Sequence, residues 1–247
     1  MAERCDVCRV SAATSPAPTV DPTSWRVRRR RAVRRAAGDW PSVLVLDVGG
    51  VVIPSLFETV SIDGFPAGPL AGEVGWRRVQ QGQTTERDYW QAVAAERPEL
   101  DVPALWRACS RVRDELRGAL DALAGRVRLV AFTNDMAHFF GTDWAQRFPE
   151  LAAFDAIVEA SRLGVHKPDP AAYVAAAASV GERPASCLFV DDLHANLRGA
   201  EAAGMCTRLF DVRDPAASVR AVLEDLGLAD QAEAVPQRAF RSTWRAR

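Results

Sequence analysis

At 247 residues with 48% hydrophobic side chains, the chain is long enough to bury one substantial core plus a smaller module. A formal net charge of -1 gives no case for nucleic acid or acidic membranes as general partners. No apolar run approaches membrane-spanning length, and no secretory pattern is visible. Five cysteines make an odd number for a disulfide framework, and Cys109, Cys187 and Cys206 fall inside apolar helix or strand patterns, as expected of reduced core residues in a cytoplasmic protein.

Residues 1–40 hold nine arginines against four acids, a net of +5, with Pro16, Pro18, Pro22 and the run RVRRRRAVRR at 26–35. This is the composition of a disordered arm. It is open to reading as an inert tail, a polyanion-binding arm or an organelle-targeting segment, and the inert tail is preferred. Cys5 and Cys8 form a lone CxxC with no second pair, which gives no case for zinc or redox chemistry.

The stretch SVLVLDVGGVV, Ser42 to Val52, reads as a buried strand from Val43 to Leu46 that carries Asp47 to its carboxyl end and runs into Gly49-Gly50. Glycines there let backbone approach whatever the carboxylate touches. Pro54 to Gly68 reads as a loop or hairpin. From Pro69 to about Arg113 the pattern is helical, with a capping box at Thr85-x-x-Asp88 and a second start at Asp101 and Pro103. Trp76, Trp90 and Trp106 fall in three successive helices and are expected to form a small core of this insert; Phe65, Trp76 and Tyr89 are also candidates to line a pocket. An insert at this point would sit over the first strand's carboxyl end as a lid.

Arg126 to Phe132 is the second strand, ending in Thr133-Asn134, and Phe154 to Glu159 the third, followed by the loop GVHKPDP. A helix over Ala171 to Val180, a strand over Cys187 to Val190 with Asp191-Asp192 at its end, a helix over Ala195 to Ala203 and a last strand over Cys206 to Phe210 complete the pattern. Strands alternating with helices specify an α/β fold with a doubly wound parallel sheet.

In such a sheet Asp47, Thr133-Asn134, Lys167 and Asp191-Asp192 project from one edge and can converge. An aspartate after a strand is also an ordinary turn former, so the company it keeps decides. Lys167 is the only lysine among 31 basic residues, which suggests a place where a compact ammonium is needed and a guanidinium will not serve. Asp47 is a candidate nucleophile, and with Asp191 and Asp192 a candidate holder of a hard cation such as Mg²⁺. Thr133 and Asn134 offer donors to phosphoryl oxygens, with Lys167 as the balancing charge. Adjacent carboxylates without a cation would repel.

The order LDVGGVV, AFTN, GVHKPDP and FVDDLHANLRGAEAAGM resembles the haloacid dehalogenase-like hydrolase superfamily over about Ser42 to Leu228. FVDDLHANLRGA especially resembles the phosphatase domain of soluble epoxide hydrolases, and DVGGVV with TN-x-x-x-H looks like bacterial glucose-1-phosphate phosphatases. The resemblance implies a Rossmann-like core at 41–53 and 119–230, a helical cap of the C1 type at 54–118, an arm at 1–40 and a tail at 231–247. It implies that Asp47 attacks phosphorus to form an aspartyl-phosphate, that Mg²⁺ is held by Asp47, the Gly49 carbonyl, Asp191 and Asp192, and that Thr133, Asn134 and Asn196 lie at a small phosphorylated substrate. Asn196 also reaches back to orient the carboxylates.

One position departs from the family pattern. Gly49 stands where the usual second aspartate protonates the leaving group, a service typically worth ~10²–10⁴-fold. Either the substrate has an undemanding leaving group, such as a sugar anomeric oxygen, or the chain is a weakened phosphate- or metabolite-binding module. The Schiff-base chemistry of phosphonoacetaldehyde hydrolases needs a cap lysine, which is absent, and Asp191-Asp192 argues against metal-free dehalogenation. His138, His166 and His194 could replace the missing acid. The preferred readings are a packed residue for His138, the site's rim for His166 and a solvated helix start for His194. A nucleic-acid role for the arm is disfavoured, and the sequence does not give the oligomeric state.

Overall fold

The computed structural model describes residues 41–230; the arginine-rich arm with Cys5 and Cys8, and residues 231–247, lie outside the described residues. Five strands, β1 (Val43–Leu46), β2 (Arg128–Thr133), β3 (Ala156–Glu159), β4 (Cys187–Asp191) and β5 (Cys206–Leu209), pair in parallel in the order β3-β2-β1-β4-β5. The chain builds outward from β1 on one side, then returns to build on the other, so the order reverses between β1 and β4. Open α/β sheets hold ligands at such a reversal.

The alternation of side chains along each strand separates two cores. Val43, Val45, Val130, Phe132 and Phe189 face one layer, which holds Tyr173 of α8 (Pro170–Ser179) and Leu197 of α9 (His194–Ala202). Leu44, Leu46, Leu129, Ala131, Leu188 and Val190 face the other, against α5 (Asp114–Leu123) and α10 (Pro215–Asp225). Burial on both faces explains why the central strands read as continuous apolar runs. Two short helices, α6 (Met136–Phe140) and α7 (Ala160–Leu163), follow β2 and β3.

Between β1 and β2 lie α1 (Leu56–Thr59), α2 (Val74–Gln80), α3 (Glu86–Glu96), α4 (Val102–Cys109) and α5. The expected capping box is present on α3, where the Asp88 N–H donates to Thr85 Oγ1 at 3.0 Å, and Asp101 caps α4. The stretch expected to be a loop or hairpin instead carries α1. The Ser55 N–H and hydroxyl both donate to Glu58 Oε2, at 2.8 and 2.9 Å, and nucleate the turn.

The same Glu58 carboxylate takes a two-pronged ion pair from Arg113, at 2.7 and 3.0 Å, while Arg113 Nε and Nη2 donate to the carbonyls of Val51 and Gly50. Arg113 is 3% exposed. It therefore clamps the segment that follows Asp47.

The tryptophans do not form a separate insert core. Trp76 and Trp90 pack with Phe57, Phe65 and Tyr89, whereas Trp106 lies beside Phe139 and Phe140 of α6. All of them join the same apolar cluster as the sheet's second face. Phe65, Trp76 and Tyr89 are thereby used up in packing, and the pocket is lined by other residues. Cys187 is buried, whereas Cys109 and Cys206 are only partly buried rather than core residues, and none of the three is in a disulfide among the described residues. No helix among the described residues is long and apolar enough to cross a membrane.

Candidate active site

Register brings the site together. Leu46 is paired with Val190 on one side and Ala131 on the other, so the next residues, Asp47, Asp191 and Phe132, sit level at three adjacent strand ends. Lys167 reaches across all three. Its Nζ donates to Asp47 Oδ1 at 2.5 Å, Asp191 Oδ2 at 3.0 Å and the Phe132 carbonyl at 3.1 Å, above the rings of Phe132 and Phe189. Three acceptors in three directions suit an ammonium, not a planar guanidinium.

Asp191 is fully buried and held from a second direction by Asn196 Nδ2, at 2.9 and 3.1 Å, and by the Leu193 N–H at 2.8 Å. Asn196 thus orients Asp191, and its amide is turned to that carboxylate. Asn134 likewise works within the protein. Its side chain accepts from the Lys167 N–H at 2.9 Å and donates to the Lys167 carbonyl at 3.1 Å, fixing the lysine's backbone. Both residues expected to meet phosphoryl oxygens line the cavity, but the Asn134 amide is committed to the Lys167 backbone.

Asp47, Asp191 and Asp192 each offer an oxygen within 4.8 Å of the others, and all three are buried. Gly50 makes room for this: its φ is +87°, and a Cβ there would fall 2.7 Å from the Asp192 carboxyl carbon. Three carboxylates against one lysine leave an excess of negative charge out of water. Burial, with Asp191 beside it and despite Lys167, pushes Asp47 up to about 7. Burial, with Asp191 and Asp47, drives Asp192 well above the carboxylate range. Burial works to lower Lys167, but Asp191 and Asp47 outweigh it and its pKa is raised. An all-oxygen, over-charged cluster fits a hard divalent cation.

Above this floor lies a cavity of about 650 Å³. Its cap side is the turn from Gly82 to Thr85, the first residues of α3 from Glu86 to Asp88, and Trp106; its core side includes Asp47, Gly49, Thr133 and Lys167. His166 lies exposed at the rim, as expected. His138 is exposed rather than packed. His194 is not a solvated helix start: its Nδ1 lies 2.7 Å from Oε1 of Gln80 on α2, and Gln80 Nε2 donates to the Asp192 carbonyl at 3.2 Å. With the Arg87–Asp135 ion pair and the bond from Arg198 to the Gln81 carbonyl, these contacts join cap to core.

The family model described as a haloacid dehalogenase-like hydrolase matches residues 42–204. The chain belongs to this family. Among curated relatives of this haloacid dehalogenase-like hydrolase, "Phosphatase MT3486" of Mycobacterium tuberculosis is 42% identical over 57 residues, 23% of this chain and 26% of that protein. "Protein CbbY, plasmid" of Cupriavidus necator is 35% identical over 101 residues, 39% of this chain and 37% of that protein. The matched stretches therefore span well under half the length of either relative. Among solved structures, the L-2-haloacid dehalogenase RSc1362 is similar with a TM-score of 0.52 at 22% identity, over 68% of this chain and 86% of that one. That likeness speaks to the fold.

Glu86, Trp106 and Arg113 were not singled out as functional from the sequence. Glu86 had one signal, its place directly after the Thr85 cap, where a carboxylate reads as ordinary helix-start chemistry. Arg113 had none, being one arginine among thirty.

Proposed function

We propose that this hydrolase is a Mg²⁺-dependent phosphomonoesterase acting on a small phosphorylated metabolite through an aspartyl-phosphate on Asp47. The observation that carries the reading is the Lys167 ammonium bridging Asp47 and Asp191 beneath the cavity, within a cluster of three buried carboxylates. Asp47, Asp191, Asp192 and the Gly49 carbonyl would hold the cation, which when bound offsets the charge of the carboxylates and the phosphoryl oxygens. Asp47 supplies the attacking oxygen. Lys167 holds that carboxylate in place and keeps a positive charge beside the phosphoryl group, where Thr133 donates from its hydroxyl. Asn196 and Asn134 are positioning residues, acting on Asp191 and on the Lys167 backbone.

A sugar phosphate is the favoured substrate class, because Gly49 brings no acid and an anomeric oxygen leaves readily. Likeness of the DVGGVV and TN-x-x-x-H stretches to glucose-1-phosphate phosphatases supports the same choice. The name of the mycobacterial relative agrees with phosphatase chemistry. The bare Gly49 also favours a second reading, a binding module with little turnover. Phosphate release from a panel of phosphorylated sugars, nucleotides and p-nitrophenyl phosphate, with Mg²⁺ or EDTA, decides between them. Metal-dependent turnover abolished by Asp47→Asn is expected; binding without turnover across the panel would establish the module instead.

A further inference from the structure

Hydrolysis of an alkyl phosphate expels an alcohol oxygen, which leaves poorly unless it is protonated as its bond to phosphorus breaks. The residue two beyond the nucleophile is Gly49, so no acid comes from there. A Cβ at Gly49 would touch only Trp106, at 3.9 Å, so the space beside the nucleophile is open to a group from the cap.

The other carboxylates around the cavity are committed. Asp88 is turned to the Thr85 N–H in the capping box, Asp135 is paired with Arg87, and Asp47 is bound to Lys167. Glu86 differs. It is the first residue of α3, half-buried on the cavity's cap side, and takes part in no ion pair among the described residues. Its Oε1 accepts a 3.1 Å hydrogen bond from Trp90 Nε1. That bond fixes the carboxyl's direction while its second oxygen remains to carry a proton.

Resting on the phosphomonoesterase reading, we propose that Glu86 is the catalytic general acid and base, delivered to the reacting atoms by the cap. In the first step the Asp47 oxygen bonds to phosphorus, the bond from phosphorus to the alcohol oxygen breaks with its electron pair going to oxygen, and Glu86 gives that oxygen its proton. In the second, water bonds to phosphorus and passes a proton to Glu86, and the Asp47–phosphorus bond breaks to release phosphate. The site's electrostatics agree with a proton-holding role. Burial raises the Glu86 pKa, with the Trp90 N–H lowering it, Asp191 raising it and Lys167 lowering it; Arg87 follows on its own helix. The acid would thus enter the site only with the cap closed on the core.

Glu86→Gln tests this, since the amide oxygen can still accept from Trp90. With glycerol phosphate or a primary sugar phosphate, kcat/KM is expected to fall ~10²–10⁴-fold. With p-nitrophenyl phosphate, whose leaving group needs no proton, kcat/KM should be nearly unchanged, while kcat falls and a burst of nitrophenol appears because water is no longer activated. Adding Gly49→Asp to this variant should restore part of the alkyl phosphate turnover. Equal losses on alkyl and aryl substrates, or no loss on either, would overturn the assignment. Wild-type enzyme without Asp47-dependent turnover of any substrate would overturn the hydrolase reading and this proposal with it.

Discussion

Gly199 lies in α9, outside the cavity lining, yet replacing it by alanine should disable the site. A Cβ built there falls 2.1 Å from the Pro168 carbonyl oxygen, 2.9 Å from its carbon and 2.8 Å from the Tyr173 ring. An ordinary C···O approach is about 3.3 Å, so helix or loop must give by roughly 1.2 Å. If the loop yields, Lys167, the residue before Pro168, leaves contacts of 2.5 and 3.0 Å to Asp47 and Asp191. If the helix yields, Asn196 leaves Asp191, which it holds at 2.9 and 3.1 Å. Misplacement by about 1 Å costs on the order of 10²-fold in rate. Stability is affected less, because overpacking costs ~1–3 kcal/mol and alanine returns up to ~1 kcal/mol of helix preference over glycine. Phosphate-release kinetics beside urea unfolding should therefore show kcat/KM down about 100-fold with at most ~2 kcal/mol lost. A Gly199→Ala protein with wild-type kcat/KM would refute the claim that this contact sets the position of Lys167.

Arg113→Ala strands the buried Glu58 carboxylate and frees the carbonyls of Gly50 and Val51; breaking such a pair costs about 3–5 kcal/mol. Urea unfolding should report that loss, and a change below about 1 kcal/mol would show that water replaces the clamp. For the carboxylate cluster the sign follows from raised pKa values. With Asp47 near 7 and Asp192 also raised, the cation-free folded state holds more protons than the unfolded chain from about pH 4 upward, so its stability falls as pH rises toward 7. Added Mg²⁺ displaces those protons and should raise Tm more at about pH 8 than at about pH 5. Equal shifts at both, or a full shift retained in Asp191→Asn, would remove the cluster from cation binding.

The strands and the sheet edge were legible in the sequence because they are local. Runs such as VLVL and CLFVD are apolar enough to be buried on both faces, and polar residues collect where they end, so the parallel sheet and the convergence of Asp47, Lys167 and Asp191 followed from pattern and topology alone. The lone lysine was legible for a compositional reason: elsewhere the chain uses arginine for every cation. What only the tertiary structure decided was which groups meet across long sequence separations. An aromatic pattern predicts burial without naming the partner, and so Trp76 and Tyr89 went to the cap's packing while Trp106 and the Gly82–Asp88 segment took the cavity. An amide after a strand can face a ligand or the protein, and Asn134 faces the backbone of Lys167, 33 residues away. Gln80 finds Asp192 across 112 residues, and Glu86 and Gly49, far apart in sequence, come to line one cavity, a juxtaposition set by packing between distant segments.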